Sequence, residues 1–216
     1  MADGSLDTVS LLAFASDADG GDVFVVTWYD QSLSNDATQG TAASQPKIVS
    51  GGSLVEDKGK AAVDFDGTND YLQLTSTIDN GGTESIFTVC NSASSLATKA
   101  LLRFNTNTYF RLTDAQSAVD YSYGFPTSLF NFPNNTNQKL ISAISASNVK
   151  NVFRNGSGSS SNPITDISSS TAINRISSSS LSYEGYIQEM VIYASDQSSN
   201  RTGVETNINT FYSIYP

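Results

Sequence analysis

The stretch AAVDFDGTNDYLQL, residues 61–74, alternates apolar and polar positions on both sides of a short Asp-Gly-Thr-Asn-Asp link. Successive side chains of a strand point to opposite sides, so Val63 and Phe65 share one face and Leu72 and Leu74 share another. Gly67 supplies the positive φ that so short a link needs. The pattern predicts two strands meeting at a tight corner. A second reading attaches to the same residues. Asp64, Asp66, Asn69 and Asp70 offer oxygen-bearing side chains, and calcium takes roughly six to eight hard oxygen ligands. An EF-hand loop would need a bidentate Glu at its twelfth position, which is Thr75 if Asp64 is the first. The alternation favours the corner. No cofactor is called for elsewhere, and calcium stays open at this loop.

Short-strand patterns fill most of the remaining chain. Residues 6–16 read as a helix with Asp7 as N-cap, and residues 17–22 as a turn. VFVVTWY, residues 23–29, is a continuous apolar run that predicts a buried strand with Trp28 as a core anchor. Pro46 opens a short strand, and residues 53–65 predict a hairpin turning at Asp57 to Gly59. IFTVCN, ALLRFN and TYFRLTD read as strands, followed by the aromatic segment DYSYGFPTSLFNFP. Residues 139–154 alternate again, and Asn155-Gly156 marks a tight turn. In EGYIQEMVIY the apolar parity switches between Ile187 and Met190, which predicts a bulge near Gln188 and Glu189. Val204, Ile208, Phe211 and Tyr212 recur at helical spacing and predict a C-terminal helix. The serine-rich stretches at 156–161 and 168–170 read as loops, because strand-like residues resume after them. About a dozen short strands without a βαβ rhythm predict one all-β domain over residues 1–216. Its two antiparallel sheets pack face to face, with short helices near the N- and C-termini.

Composition narrows the function. A net charge of −10 opposes nucleic-acid phosphates and anionic membranes. No apolar run is long enough to span a bilayer, and no signal peptide is visible. Histidine is absent, which removes His-based triads, His general bases and typical zinc or copper sites. Cys90, the single cysteine, excludes an intrachain disulfide and reads as a small buried core residue.

Four segments taken together resemble a known family. They are WYDQSLSNDATQ (residues 28–39), VDFDGTNDYLQL (63–74), NVKNVFRNGS (148–157) and YEGYIQEMVIYASDQS (183–198). In that order they resemble the concanavalin A-like jelly-roll superfamily, specifically its laminin-G-like lectin/glucanase domains. The WYDQS element looks like domains of tailed-phage virion proteins, as fibre or head-decoration modules, and of some bacterial surface proteins. It is also similar to the catalytic domain of the alpha-L-arabinofuranosidase B family. Those relatives usually read DQSGNGND, where residues 30–36 here read DQSLSND. They usually carry a further N-terminal strand that is not evident here, so the chain reads as a domain of a longer protein.

The resemblance implies a jelly-roll sandwich and a non-catalytic virion or extracellular structural or adhesion module. Its expected partners are a glycan or neighbouring virion subunits, with a homotrimer expected if the module sits in a fibre. The ligand candidates are Asp30 and Gln31, beside Trp28, together with the aromatic residues Tyr121, Tyr123 and Phe125, since aromatic rings stack on sugar faces. Core packing is the alternative for those rings. The runner-up is a glycoside hydrolase resembling arabinofuranosidase B, which needs two carboxylates about 5–9 Å apart. Asp196, Glu184, Glu189 and Asp30 are the candidates, Asp196 by its place in YASDQS. The bland alternatives are that Glu189 bonds to backbone at the bulge, and that Asp196 sits near a helix N-terminus, where negative charge is favoured.

Overall fold

A computed structural model of the chain describes residues 6–17, 19–32, 35–79, 81–93, 99–104, 109–112, 118–122, 129–131, 137–147, 149–158, 161–163 and 172–216. These residues form an all-β jelly-roll sandwich of two antiparallel sheets, with a small third sheet and a short α-helix toward each end. The first sheet runs edge to edge through Val23–Phe24, Lys47–Ser50, Val63–Asp66, Glu184–Tyr193, Glu84–Ser92, Lys139–Ala146, Val149–Arg154 and Ser161–Pro163, with Ser53–Leu54 paired to Lys47–Ser50. The second runs through Leu129–Asn131, Ala118–Ser122, Tyr109–Leu112, Lys99–Phe104, Ile173–Ser177, Tyr71–Ile78, Ala37–Thr38 and Thr27–Trp28.

The corner at residues 61–74 is a crossing between layers. Val63–Asp66 belongs to the first sheet and Tyr71–Ile78 to the second. Val63, Phe65, Leu72 and Leu74 all enter the main core between the sheets, as the alternation predicts. Gly67 turns the chain with φ 76°. The core draws Ile86, Cys90, Ile141, Ala143, Val152 and Ile187 from one sheet and Leu102, Phe104, Phe110, Ile173 and Ile176 from the other.

Glu84–Ser92 is buried on both faces, for a reason visible in its alternation. Ile86 and Cys90 point into the main core, whereas Phe87 and Val89 point outward beneath the C-terminal helix Arg201–Tyr212. Val204, Ile208 and Tyr212 of that helix close this second cluster. Phe211, expected on the same apolar face, is instead 59% exposed and packs under the Lys60 ammonium at 4.0 Å. Glu205 takes a buried place: its Oε1 accepts from Ser142 Oγ at 2.7 Å and its Oε2 pairs with Arg201. At the other end, Thr8–Ser16 is helical and Asp7 caps it by accepting from the Ser10 N–H at 3.1 Å.

The predicted bulge is present. Val89 pairs with Glu189 and Cys90 with Ile187, which leaves Gln188 as the extra residue. Its amide Nε2 donates to the carbonyls of Asp57 and Lys60, each at 3.0 Å, and its Oε1 accepts from Gln138 Nε2 at 2.6 Å. The bulge thereby carries the hairpin Glu56–Asp57/Lys60–Ala61, which turns through Lys58 and Gly59 at φ 53° and 73°. The expected backbone anchor at the bulge is therefore Gln188, not Glu189.

The reading of residues 23–29 as one buried strand is corrected. The segment splits into Val23–Phe24 at the edge of the first sheet and Thr27–Trp28 at the edge of the second. Phe24, Val26 and Tyr29 are exposed, because a strand that changes sheets cannot keep one side chain parity facing the core. Trp28 does pack against the main core.

Candidate functional site

The outer face of the second sheet gathers the polar side chains left over by the inward alternation. In YLQL, Leu72 and Leu74 go inward and send Tyr71 and Gln73 out. Leu102 and Phe104 go inward and send Arg103 out. Ile173 and Ile176 go inward; Phe104 pairs with Ile173 and Arg103 with Arg175, which leaves Asn174 as the extra residue and Arg175 outward. Cross-strand register then lines up Thr38, Gln73, Arg175, Arg103 and Tyr109 across five neighbouring strands.

Contacts fix this row. Arg175 Nε donates to Gln73 Oε1 at 2.6 Å, and Gln73 Nε2 donates to the Asn174 carbonyl at 2.8 Å. The Arg175 guanidinium stacks 4.6 Å from the Tyr71 ring centre. Arg103 stands directly opposite Arg175 in register, and among the described residues its buried Nε has no hydrogen-bond partner. The Tyr109 hydroxyl shares a hydrogen bond of 3.0 Å with Ser180 Oγ. Two planar guanidinium groups beside a fixed amide and a fixed ring can recognise hydroxyls and anions. Thr38, Gln73, Arg175, Arg103 and Tyr109, the described residues of the row, include no carboxylate or imidazole.

The loop after Trp28 borders the same sheet. The Asp36 carbonyl accepts from the Thr75 N–H at 2.9 Å, and Asn35 Oδ1 accepts from the Ser76 N–H at 2.7 Å. Asp30 organises this loop: its carboxylate accepts from the Ser32 N–H and Oγ, each at 2.8 Å, and from the Asn35 N–H at 3.2 Å. Gln31 is exposed and its Nε2 donates to the Tyr29 carbonyl at 3.0 Å. Tyr121 lies in Ala118–Ser122 of the same sheet, in register with Phe110. Tyr123 and Phe125 lie outside the described residues.

The carboxylates proposed for hydrolysis are strung along one strand and the segment after it. Glu184 and Glu189 are five residues apart in Glu184–Tyr193, about 15 Å in extended chain. Asp196 sits by Ser85, whose Oγ accepts from the Gln197 N–H at 2.9 Å. Glu189 pairs with Val89, four residues farther along, about 13 Å away. Asp196 is held below the usual carboxylate range by its bonds to Ser198 and acts as a turn-former. Glu189 is pushed up by burial, and the nearby Tyr212 hydroxyl donates to the Gln188 carbonyl at 3.4 Å. Glu184 stands in register with Asp66, the one cross-strand carboxylate neighbour among these candidates. It forms an ion pair with Lys99 at 3.4 Å, and Asp66 is exposed.

At the corner, Asp66 Oδ1 accepts from the backbone N–H of Thr68 at 2.7 Å and of Asn69 at 3.4 Å. Asp70 Oδ2 accepts from the Asp66 N–H at 2.9 Å. Burial raises Asp64, and it raises Asp70 to about 6. Asn69 is half-buried beside them. Among the described residues no group of three or more His, Cys, Asp or Glu is placed to hold a metal ion. No helix there is long and apolar enough to cross a membrane.

No protein-family model matches the sequence, and no curated protein matches it. Solved structures do. A GH54 α-L-arabinofuranosidase matches with TM-score 0.65 at 13% identity, over 97% of this chain and 55% of that one. Trypanosoma rangeli sialidase matches with TM-score 0.59 at 12% identity, over 91% of this chain and 31% of that one. The binding domain of botulinum neurotoxin serotype D matches with TM-score 0.51 at 10% identity, over 89% and 51%. The chain thus spans about a third of the sialidase and about half of the other two. At these identities the likeness establishes the β-sandwich fold alone.

Proposed function

We propose that residues 1–216 form one carbohydrate-binding β-sandwich domain that works by adhesion, displayed on a virion or another extracellular assembly. The observation that carries this reading is the row Tyr71, Gln73, Arg175 and Arg103 on the outer face of the second sheet. Aromatic, amide and guanidinium groups held flat on a rigid sheet suit a hydroxyl-rich ligand. The sandwich likeness to two glycosidases and a toxin binding domain supports the same class. The resemblance of the WYDQS element to phage modules supports the virion setting, with neighbouring subunits as the alternative partner and a trimer in a fibre. A glycan array tests the reading: binding that is lost in Arg175→Ala supports it, and an array without hits removes it.

The second reading is a glycoside hydrolase, favoured by the arabinofuranosidase likeness over 97% of the chain. Glu184 and Asp66 are the pair it would use. Glu184 forms an ion pair with Lys99 at 3.4 Å, and Asp66 accepts the Thr68 backbone N–H at 2.7 Å. Release of nitrophenol from a nitrophenyl arabinofuranoside, abolished by Glu184→Gln, would establish it.

A further inference from the structure

We infer that Arg103 and Arg175 form a clamp for the carboxylate of an acidic sugar, so that the glycan bound on this face carries uronic or sialic acid residues. The inference rests on the glycan-binding reading above and narrows its ligand. Three of the chain's five arginines, Arg103, Arg111 and Arg175, lie on the second sheet, although the chain as a whole carries a charge of −10. Arg111 is in register with Asp120 and has a partner. The other two stand opposite each other in register. Cβ atoms at such positions are about 5 Å apart, and like charges there repel. An anion seated between them removes that repulsion.

The geometry specifies the anion further. Arg175 is oriented by its Nε bond to Gln73 and by stacking on Tyr71, so among the described residues its terminal nitrogens are left for a ligand. Arg103 Nε is buried without a hydrogen-bond partner among those residues. A guanidinium fork matches a carboxylate through two parallel hydrogen bonds, which a lysine cannot reproduce. A sugar carboxylate is planar and pre-attached to a ring, so the same contact that fixes the anion fixes the sugar against the sheet.

The test uses the full chain with four probes: polygalacturonate, its carboxyl-reduced counterpart, 3′-sialyllactose and lactose. Acidic probes are expected to bind and their neutral counterparts to bind at least about tenfold more weakly, with the acidic binding falling as salt rises. Which acidic probe binds distinguishes a uronic from a sialic acid ligand. Arg103→Gln is expected to remove this preference. Arg103→Lys keeps the charge and is expected to restore little of it. Lys58→Gln removes one charge at the exposed hairpin tip and is expected to change nothing. Circular dichroism melting of each variant separates lost binding from lost folding. Equal binding of acidic and neutral probes, or an Arg103→Gln variant that binds like the parent, overturns the clamp and leaves the glycan reading standing. Absence of binding to every probe and to a glycan array overturns both.

Discussion

Asp70 Oδ2 accepts a hydrogen bond from the backbone N–H of Asp66 at 2.9 Å, closing the corner on which the two sheets meet. Burial raises this carboxyl to about 6, with Asp66 and Asp64 pushing the same way. An unfolded Asp titrates near 4. The folded state therefore holds the proton more tightly between about pH 4 and pH 6. The stabilisation from protonated Asp70 is complete below about pH 4 and is lost as pH rises through 6. Asp70→Asn keeps an acceptor oxygen without the charge. It is expected to be more stable than the parent at pH 7.5, by about 1–2 kcal/mol, with the gap closing toward pH 4. Urea melts across that range check the sign; a variant less stable at pH 7.5 would refute it.

Calcium is expected to leave the melting temperature unchanged at millimolar concentration. Oxygens of Asp66 and Asp70 already accept backbone N–H groups that shape the turn. A ligand that binds only the folded state must raise stability, so an upward shift in differential scanning fluorimetry would restore the metal reading.

Gly67→Ala is expected to cost about 2 kcal/mol or more. Its φ is 76°, and an added Cβ would meet Glu184 Cβ at 2.7 Å. That contact is with the root of the neighbouring side chain, close to the backbone, so relief requires the crossing itself to move. A variant that melts with the parent would show that the corner is looser than this packing implies.

Glu205→Ala is expected to cost about 3 kcal/mol, since it leaves Arg201 and Ser142 without their carboxylate beneath the C-terminal helix. Hydrogen exchange should quicken over Arg201–Tyr212 before it quickens over Glu84–Ser92. Uniform quickening would mean that helix and sheet open as one unit.

Sequence alternation made much of the sandwich legible. It placed Val63, Phe65, Leu72 and Leu74 in the core, put a bulge near Gln188 and Glu189, where Gln188 is the extra residue, and set a hairpin at Asp57 to Gly59, which turns through Lys58 and Gly59. It misread residues 23–29, because an unbroken apolar run does not reveal that its two ends serve different sheets. The site was less legible. Tyr71, Gln73 and Arg103 each occupy an outward position readable from its own strand, whereas Arg175 faces outward only because the irregularity at Asn174 shifts the parity. Their assembly depends on the order in which distant strands pair, and Arg103 meets Arg175 across 72 positions of sequence. The WYDQS element drew attention to Asp30 and Gln31, and Asp30 accepts the Ser32 and Asn35 N–H groups of its own loop.

Cys90 lies between the sheets with no exposed surface, and burial raises its thiol. A thiol reagent can therefore reach it only when the layers separate. The chain contains no competing sulfhydryl. The labelling rate of the native protein is thus a clock for the opening of the sandwich, written by one atom and needing no engineered probe.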